Sequence, residues 1–247
     1  MMLMKSNINI FPNKDILIRE SAKYIAGLMD DFIKENGKCT FVLAGGSTPK
    51  GLYETLASDP YKNSIDWNKV HFFWGDERCV PPDHEDSNYR MVQEAMIDHL
   101  DISSGNIHRI PAEEKPADAA REYENSLKSF FGDKEEFPRF DIILLGIGDD
   151  GHTASLFPGT TAIDENDRWV TEVYVPQLDT HRITMAFPVI NNGRNVIFLV
   201  TGETKAKVVN KILKDGSLSL PASLIRPVNG DLVYIFDKEA AAEISTE

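Results

Sequence analysis

Residues 40–57 read TFVLAGGSTPKGLYETLA, and this stretch decides the fold. Its first five residues form a mainly apolar run, which predicts a buried strand. Gly45 and Gly46 follow, and glycine lets the backbone turn and approach a ligand closely. Thr48 and Pro49 are typical of a helix N-cap and of the first helical position, and leucines at helical spacing come after them. The stretch therefore predicts a strand, a glycine loop and a helix.

The same alternation continues in both directions. Residues 14–35 place apolar side chains at helical spacing with charged residues mostly between them, which indicates an amphipathic helix. The predicted strands downstream are 70–74, 142–145, 183–186, 196–200 and 232–236, and the predicted helices are 88–100, 116–131 and about 203–213. Strands that alternate with helices imply an α/β fold, with a mostly parallel sheet covered by helices on both faces. Since no repeat or linker interrupts the pattern, we expect a single domain over residues 1–247.

Composition and charge limit the classes of function. A chain of 247 residues with 42% hydrophobic residues can bury one full-sized core. Its 26 basic and 39 acidic residues give a formal net charge of −13, which repels nucleic acid and anionic lipid. An anionic metabolite is still compatible, because salt screens charges beyond about 8 Å and a few local cations can dominate a pocket. We therefore expect a small-molecule partner, and neither nucleic acid nor a membrane.

The cysteines and the opening segment indicate the compartment. Cys39 and Cys79 lack the close spacing of metal ligands and would form at most one disulfide, which favours a reducing environment. The opening MMLMKSNINIF lacks a long apolar core with a cleavage site, and no stretch is long enough to span a bilayer. We expect a cytoplasmic protein, whose oligomeric state the sequence does not determine.

Four polar segments follow predicted strands, and ligands of open α/β sheets bind beyond the carboxyl ends of the strands. The first is the glycine loop. Free amides at its helix start, with the hydroxyls of Ser47 and Thr48, would form a cradle for a phosphate. An ordinary capped helix after a tight turn is the alternative. The loop matches neither the dinucleotide fingerprint nor the P-loop, so a nucleotide is poorly supported.

The second segment is GDER, residues 75–78, directly after the strand 70–74. Its charged side chains emerge at the carboxyl end of that strand and face the predicted site. Arg78 has a planar fork that suits a sugar phosphate or a carboxylate, although an ion pair with Asp76 or Glu77 is a competing interpretation. Ser87, a short way downstream, is better explained as a helix cap.

The third segment, GIGDDGHT at residues 146–153, is the most specific. A buried type of strand runs into glycines, the acidic pair Asp149 and Asp150, and then His152. An imidazole held beside a carboxylate is suited to take a proton from water near neutral pH. The other histidines are interpreted as surface or core residues: His71, His84, His99, His108 and His181.

The fourth segment combines two cations. Arg182 precedes the predicted strand 183–186, and Lys205 lies in the first turn of the helix after the strand 196–200. Either could supply positive charge to a phosphate, and either alone is more often a solvated surface residue.

Taken together, these motifs resemble the glucosamine-6-phosphate isomerase/6-phosphogluconolactonase superfamily over nearly the whole chain. The matching stretches are AGGSTP, GDER with DSN, GIGDDGHTASLFPG, the region from RIT to VTGETKA, and PASLI. GDDGHTASLFPGT favours the lactonase branch, because the deaminase branch is similar up to the histidine and then typically runs IAFNEPGS. Asp149 departs from the pattern, since related sequences often carry a non-acidic residue there, so Asp150 is the better match for the family carboxylate.

The resemblance implies a three-layer, Rossmann-like fold of the glucosamine-6-phosphate deaminase type. It also implies hydrolysis of 6-phosphoglucono-δ-lactone to 6-phosphogluconate in the oxidative pentose phosphate pathway, without metal or organic cofactor. The hypothesis for catalysis is that His152, oriented by Asp150, activates a water, while backbone amides and Arg78 stabilise the oxyanion. The residues expected to bind substrate are Gly45, Gly46, Ser47, Thr48, Asp76, Arg182 and Lys205.

Four alternatives stay open at this point. A deaminase or aldose-ketose isomerase could use the same histidine and carboxylate, and the fold could serve as a non-catalytic sugar-phosphate sensor. A serine esterase with Ser47 as nucleophile would need a second elbow glycine where this chain has Pro49. A metal hydrolase could be assembled from Asp76, Glu77, Asp150 and His152, but no helical ligand spacing supports it.

Overall fold

The computed structural model describes residues 7–132, 136–214 and 220–244. Residues 1–6 of the opening segment lie outside these ranges. The strands are β1 (Asn7–Phe11), β2 (Cys39–Leu43), β3 (Val70–Trp74), β4 (Asp76–Arg78), β5 (Ile107–His108), β6 (Ile142–Leu145), β7 (Val170–Val175), β8 (Thr180–Met185), β9 (Asn195–Val200) and β10 (Asp231–Asp237). The α-helices are α1 (Lys14–Asn36), α2 (Ser47–Leu56), α3 (Tyr61–Ser64), α4 (Asn88–Ala95), α5 (Pro116–Phe131), α6 (Phe187–Asn191) and α7 (Ala206–Lys214).

A parallel sheet forms the centre of the fold. Within the described residues it has seven strands in the order β1-β10-β9-β6-β2-β3-β5, and every neighbouring pair is parallel. All residues of β2, β6 and β9 are buried, as expected for strands covered on both faces. The predicted α/β fold class is confirmed.

The sheet order places helices on both faces. From β2 the chain proceeds to β3 and β5, and it then returns to β6 and continues through β9 to β10 on the other side. Because parallel crossovers are right-handed, connections that advance in opposite directions cover opposite faces of a sheet. The direction reverses between β2 and β6, and a crevice opens at such a switch point beyond the carboxyl ends of the two strands.

Helix α1 has the signals that start and stop a helix. The Asn13 side chain accepts a hydrogen bond from the N–H of Ile16 at 3.0 Å and caps the first turn. Gly37 ends the helix in the left-handed conformation, with φ of 75°, and donates its N–H to Ile33 O at 2.9 Å.

None of the helices in the described ranges is long and apolar enough to cross a membrane.

A second, antiparallel sheet differs from the prediction. The strand predicted at 183–186 belongs to β8, which pairs antiparallel with β4 and β7 and lies outside the parallel sheet. The expectation of one mostly parallel sheet did not include this small sheet, because GDER resembles a loop and its pairing with β8 joins residues far apart in sequence. The predicted helix 88–100 is also shorter, since α4 ends at Ala95 and a 3-10 turn follows over Ile97–His99.

Asp141 ties the central strands together at the end of the sheet opposite the crevice. Its side chain is buried, and Oδ2 accepts hydrogen bonds from the Thr40 N–H at 2.9 Å and the Thr40 hydroxyl at 2.8 Å. Its other carboxylate oxygen lies 3.3 Å from Arg194 Nε, and its backbone carbonyl accepts from Asn195 N and Nδ2. The residue therefore connects β2, β6 and β9, the strands on which the site is built.

We predict that Asp141→Asn destabilises the fold by about 1–3 kcal/mol, because the new amide would direct donors at groups that are themselves donors. Urea unfolding measures the loss. The matched control is Asp66→Asn, which removes a carboxylate from an exposed ion pair with Lys69. If Asp141→Asn unfolded at the same urea concentration as this control, the account of Asp141 as a link between strands would be wrong.

Candidate active site

A cavity of about 530 Å³ lies at the switch point. Its walls come from the residues after β2, β3 and β6, from the tip of the β7–β8 hairpin, and from the turn before α7. The polar and charged side chains that line it are Asp76, Arg78, Asn88, Asp149, Asp150, His152, Ser155, Gln177, Arg182 and Lys205. The predicted residues Gly45, Gly46, Asp76, Arg78, Asp150, His152, Arg182 and Lys205 are thus brought together.

His152 and Asp150 form a hydrogen-bonded pair on the loop after β6. His152 Nδ1 lies 2.6 Å from Asp150 Oδ1, and the His152 backbone N–H donates to the same oxygen at 3.1 Å. With Nδ1 as the donor, Nε2 is the basic nitrogen that is left for substrate or water. The His152 ring also stacks on Phe157, with centroids 4.0 Å apart. The imidazole is therefore fixed from two directions.

The glycines of this loop are required by the position of the imidazole. A Cβ on Gly148 would lie 2.1 Å from His152 Nδ1, so no other residue fits there without moving the ring. Gly151 adopts φ of 83°, which disfavours a side chain. The loop is closed by hydrogen bonds from Gly148 N to His152 O and from Gly151 N to Gly148 O, each 2.9 Å long. Local sequence thus predetermines where His152 points.

The contact with His152 also changes the pKa of Asp150. Partial burial acts to raise the pKa of Asp150, but the N–H of His152, its charge and its side-chain hydrogen bond act more strongly together in the opposite direction. The net effect is a lowered pKa for Asp150, which keeps the carboxylate ionised beside the imidazole.

Glu77 organises the segment that carries Arg78. It is buried, and its carboxylate accepts hydrogen bonds from the backbone N–H groups of Arg78, Asn88 and Tyr89 and from the Ser87 hydroxyl, at 2.7–3.1 Å. Burial raises the pKa of Glu77, and the backbone donors partly offset that effect. The carboxylate fastens β4 to the start of α4, where the Ser87 side chain caps the helix as predicted.

Arg78 and Arg182 lie opposite each other in the antiparallel pairing of β4 with β8. In the ranges that the structure describes, neither guanidinium forms a salt bridge, so the competing interpretation of Arg78 as a partner of Asp76 or Glu77 is wrong. Burial, followed by the charge of Arg78, lowers the pKa of Arg182. The charges of Asp76 and Glu77 act in the opposite direction, and the Arg78 guanidinium donates a hydrogen bond to Asp86 O. Two cations held side by side make a local site for an anion.

The remaining charged residues of the cavity have protein partners. Asp76 Oδ2 accepts a hydrogen bond from the Ser155 hydroxyl at 2.6 Å. Lys205 Nζ lies 2.5 Å from Asp149 Oδ1, which connects the loop after β6 with the turn before α7. Asp76 therefore accepts a hydrogen bond from a neutral donor, whereas Asp149 forms an ion pair with a cation.

The glycine loop differs from the prediction in its cap. Gly46, with φ of 103°, is the N-cap of α2, Ser47 is its first residue, and Pro49 follows at the third position. Thr48 is not the N-cap, because its hydroxyl instead forms a 2.7 Å hydrogen bond with the hydroxyl of Thr201. The cavity lining includes Gly45 and Gly46 but neither Ser47 nor Thr48, so a contribution of these two hydroxyls to a phosphate cradle stays a prediction.

Several cavity residues were not among the predicted site residues. Asn88 donates to Asp76 O at 3.0 Å, and a Cβ on Gly45 would lie 2.1 Å from its Oδ1, so Gly45 leaves room for this amide. Ser155 lies in the GDDGHTASLFPG motif and could have been noticed there. Gln177 and Leu178 reach the cavity from the β7–β8 hairpin, and no local signal in the sequence indicates this.

The possible metal ligands in the described part of the chain do not cluster. Among residues 7–132, 136–214 and 220–244, no group of three or more histidine, cysteine, aspartate or glutamate side chains is arranged to hold a metal ion. Cys39 and Cys79 are both free thiols.

Comparisons of sequence and of structure with known proteins agree on one family. The model of the family "Glucosamine-6-phosphate isomerases/6-phosphogluconolactonase" matches residues 12–234. A 6-phosphogluconolactonase from Nostoc sp. is 42% identical over 98% of this chain and 100% of its own length. The solved 6-phosphogluconolactonase from Trypanosoma cruzi superposes with a TM-score of 0.89 at 30% identity, covering 99% of this chain and 98% of that one.

The fold is shared more widely than the lactonases. A monomeric glucosamine-6-phosphate deaminase superposes with a TM-score of 0.80 at 23% identity, over 96% of this chain and 99% of its own. At that identity the similarity establishes the fold alone, which agrees with the three-layer architecture that the sequence predicted. By the family model and the near full-length similarity to the Nostoc protein, the chain belongs to the glucosamine-6-phosphate isomerase/6-phosphogluconolactonase family.

Proposed function

We propose that this protein hydrolyses 6-phosphoglucono-δ-lactone to 6-phosphogluconate. The observation that carries the proposal is the pairing of His152 with Asp150 on the wall of a cavity that Arg78 and Arg182 also line, neither of them in a salt bridge within the described residues. A basic nitrogen beside an anion site is what hydrolysis of a phosphorylated lactone requires. The lactonases among the relatives support the choice of substrate.

The proposed reaction starts at His152 Nε2. This nitrogen takes a proton from a water whose oxygen attacks the lactone carbonyl, and Asp150 stabilises the imidazolium that forms. Backbone amides and Arg78 stabilise the oxyanion of the tetrahedral intermediate. Its collapse breaks the bond between the carbonyl carbon and the ring oxygen, and the imidazolium returns the proton to that oxygen. The product is the open-chain acid, and no metal or organic cofactor takes part.

The phosphate is assigned to the cationic side of the cavity. Arg182 supplies positive charge there, and a guanidinium can hold two phosphate oxygens at once. Lys205 is a further ligand from the turn before α7. Gly45 and Gly46 line the same cavity and allow the backbone to approach the substrate. Asp76, held by Ser155, is placed to accept hydrogen bonds from sugar hydroxyls.

The alternatives have less support. The chain has TASLFPGT after His152, which differs from the deaminase pattern. A silent sensor would not need a histidine with an oriented, basic nitrogen. For a serine esterase, Ser47 would have to reach the site, but it is exposed and outside the cavity lining. We also propose that the chain forms one domain, because a continuous apolar core extends from Leu17 to Ala241. The free thiols support a cytoplasmic location.

We predict that His152→Asn lowers kcat for 6-phosphoglucono-δ-lactone about 10²- to 10⁴-fold, because the general base is removed while the cavity is retained. The rate is measured by titrating the acid released, with spontaneous hydrolysis subtracted. The matched control is His99→Asn, because His99 is exposed and its ring is hydrogen-bonded to Glu94 O. This variant should keep the wild-type rate.

Wild-type turnover in a folded His152→Asn protein would rule out the general-base role. Ammonia release from glucosamine 6-phosphate by the wild type, without lactone hydrolysis, would instead favour the deaminase. Binding of the lactone without turnover of either compound would favour a sensor.

We predict that Arg182→Met raises KM for the phosphorylated lactone about 10- to 100-fold, since hydrogen bonds to charged groups contribute about 1.5–3 kcal/mol. Hydrolysis of unphosphorylated gluconolactone should change much less. Initial-rate kinetics with both lactones measure the difference, with Arg121→Met as the control because Arg121 is exposed and paired with Asp118. Equal effects on the two substrates would contradict the assignment of Arg182 to the phosphate.

A further inference from the structure

An ion pair crosses one wall of the cavity. Lys205 Nζ and Asp149 Oδ1 lie 2.5 Å apart although the residues are 56 positions apart in sequence. Asp149 comes from the loop after β6 that also carries His152, and Lys205 comes from the turn before α7. The Lys205 side chain is 25% exposed, whereas that of Asp149 is 74% exposed, so solvent reaches the pair mainly from the carboxylate side.

The partners of the cavity carboxylates distinguish Asp149 from the others. Asp150 accepts hydrogen bonds from His152, and Asp76 accepts one from Ser155. Asp149 pairs with a cation that also lines the cavity. A ligand phosphate that reached Lys205 would therefore meet a carboxylate that already occupies it, whereas Arg78 and Arg182 present no such competitor within the described ranges.

We propose that Asp149 is a positioning residue that acts as an internal counter-ion of Lys205 and is exchanged for the phosphate of the substrate. This inference rests on the proposed function, since it requires a phosphorylated ligand in the cavity. Asp149 keeps the Lys205 ammonium at the cavity wall when no ligand is bound, and its repulsion weakens the binding of any anion there. The residue therefore sets the affinity for the phosphorylated substrate and aids release of the product, which carries a phosphate and a carboxylate.

The local sequence allows this separation of roles. Asp149 and Asp150 are adjacent, but Asp150 is turned to His152 while Asp149 extends to Lys205. Asp150 orients the base and Asp149 pairs with a cation of the anion site. A change at Asp149 therefore leaves the hydrogen bonds of His152 in place. Since most of the Asp149 side chain is exposed, water screens its charge and the effect is modest, about two- to fivefold in affinity.

The test is a double-mutant cycle on ligand binding, with 6-phosphogluconate as the probe and calorimetry at low ionic strength as the measurement. Asp149→Asn should bind 6-phosphogluconate about two- to fivefold more tightly than the wild type, and KM for the lactone should fall more than kcat changes. Lys205→Gln should weaken binding, and adding Asp149→Asn to it should restore much less than the gain seen in the wild-type background. Asp149→Glu, which keeps the charge, should behave as the wild type.

The control variant is Asp30→Asn, which removes the same charge from an exposed ion pair with Lys34 on α1, away from the cavity. It should leave the affinity unchanged. High salt should reduce the gain in Asp149→Asn, because the repulsion is screened.

Unchanged or weaker binding in Asp149→Asn overturns the proposal, as does a full gain in the Lys205→Gln background, which would mean that Asp149 acts without Lys205. The absence of 6-phosphogluconate binding in every variant overturns it too. Failure of the proposed function is distinguished by turnover: a wild type that binds the probe but does not hydrolyse the lactone contradicts the lactonase activity, while the cycle still decides the role of Asp149.

Discussion

The parallel pairing of β2 with β6 is the constraint on which the site depends. Phe41 and Val42 of β2 are in register with Ile142 and Ile143 of β6, and the chain leaves the two strands in opposite directions. Two connections that diverge leave a crevice between them, and the glycine loop and the GDDGHT loop emerge at its two sides. The buried Asp141 network fixes the other end of the same strands. The position of His152 relative to the glycine loop therefore follows from the sheet order.

Electrostatics within the crevice complement that geometry. The chain carries a formal net charge of −13, yet the cavity has cations on β4, β8 and the turn before α7. The nearby carboxylates are restrained: Asp150 by His152, Asp76 by Ser155, Asp149 by Lys205, and the buried Glu77 by backbone N–H groups. Within the described residues neither Arg78 nor Arg182 forms a salt bridge with these acids, so the crevice of an acidic protein keeps cations that can attract an anion.

The parts of the site that depend on local sequence were predictable. His152 and Asp150 are two residues apart, and the glycines around them force the loop conformation that brings them together. The carboxyl-end placement of Arg78 followed from the strand pattern. Parts that depend on distant pairing were not predictable: the β4–β8 register that opposes Arg78 to Arg182, and the hairpin tip that brings Gln177 to the cavity. The local pattern predicted Thr48 as a helix cap. In the structure Gly46 is the cap, and the Thr48 hydroxyl forms a tertiary hydrogen bond with Thr201.

The most direct test of the central claim is the initial rate of 6-phosphoglucono-δ-lactone hydrolysis by the wild-type protein in the presence of a chelator, compared with the spontaneous reaction and with unphosphorylated gluconolactone. The account predicts a rate far above the spontaneous one, unchanged by the chelator and strongly dependent on the phosphate, because a site built to pair an anion leaves its donors unpaired without one. A rate equal to the spontaneous one, or one abolished by the chelator, would contradict it.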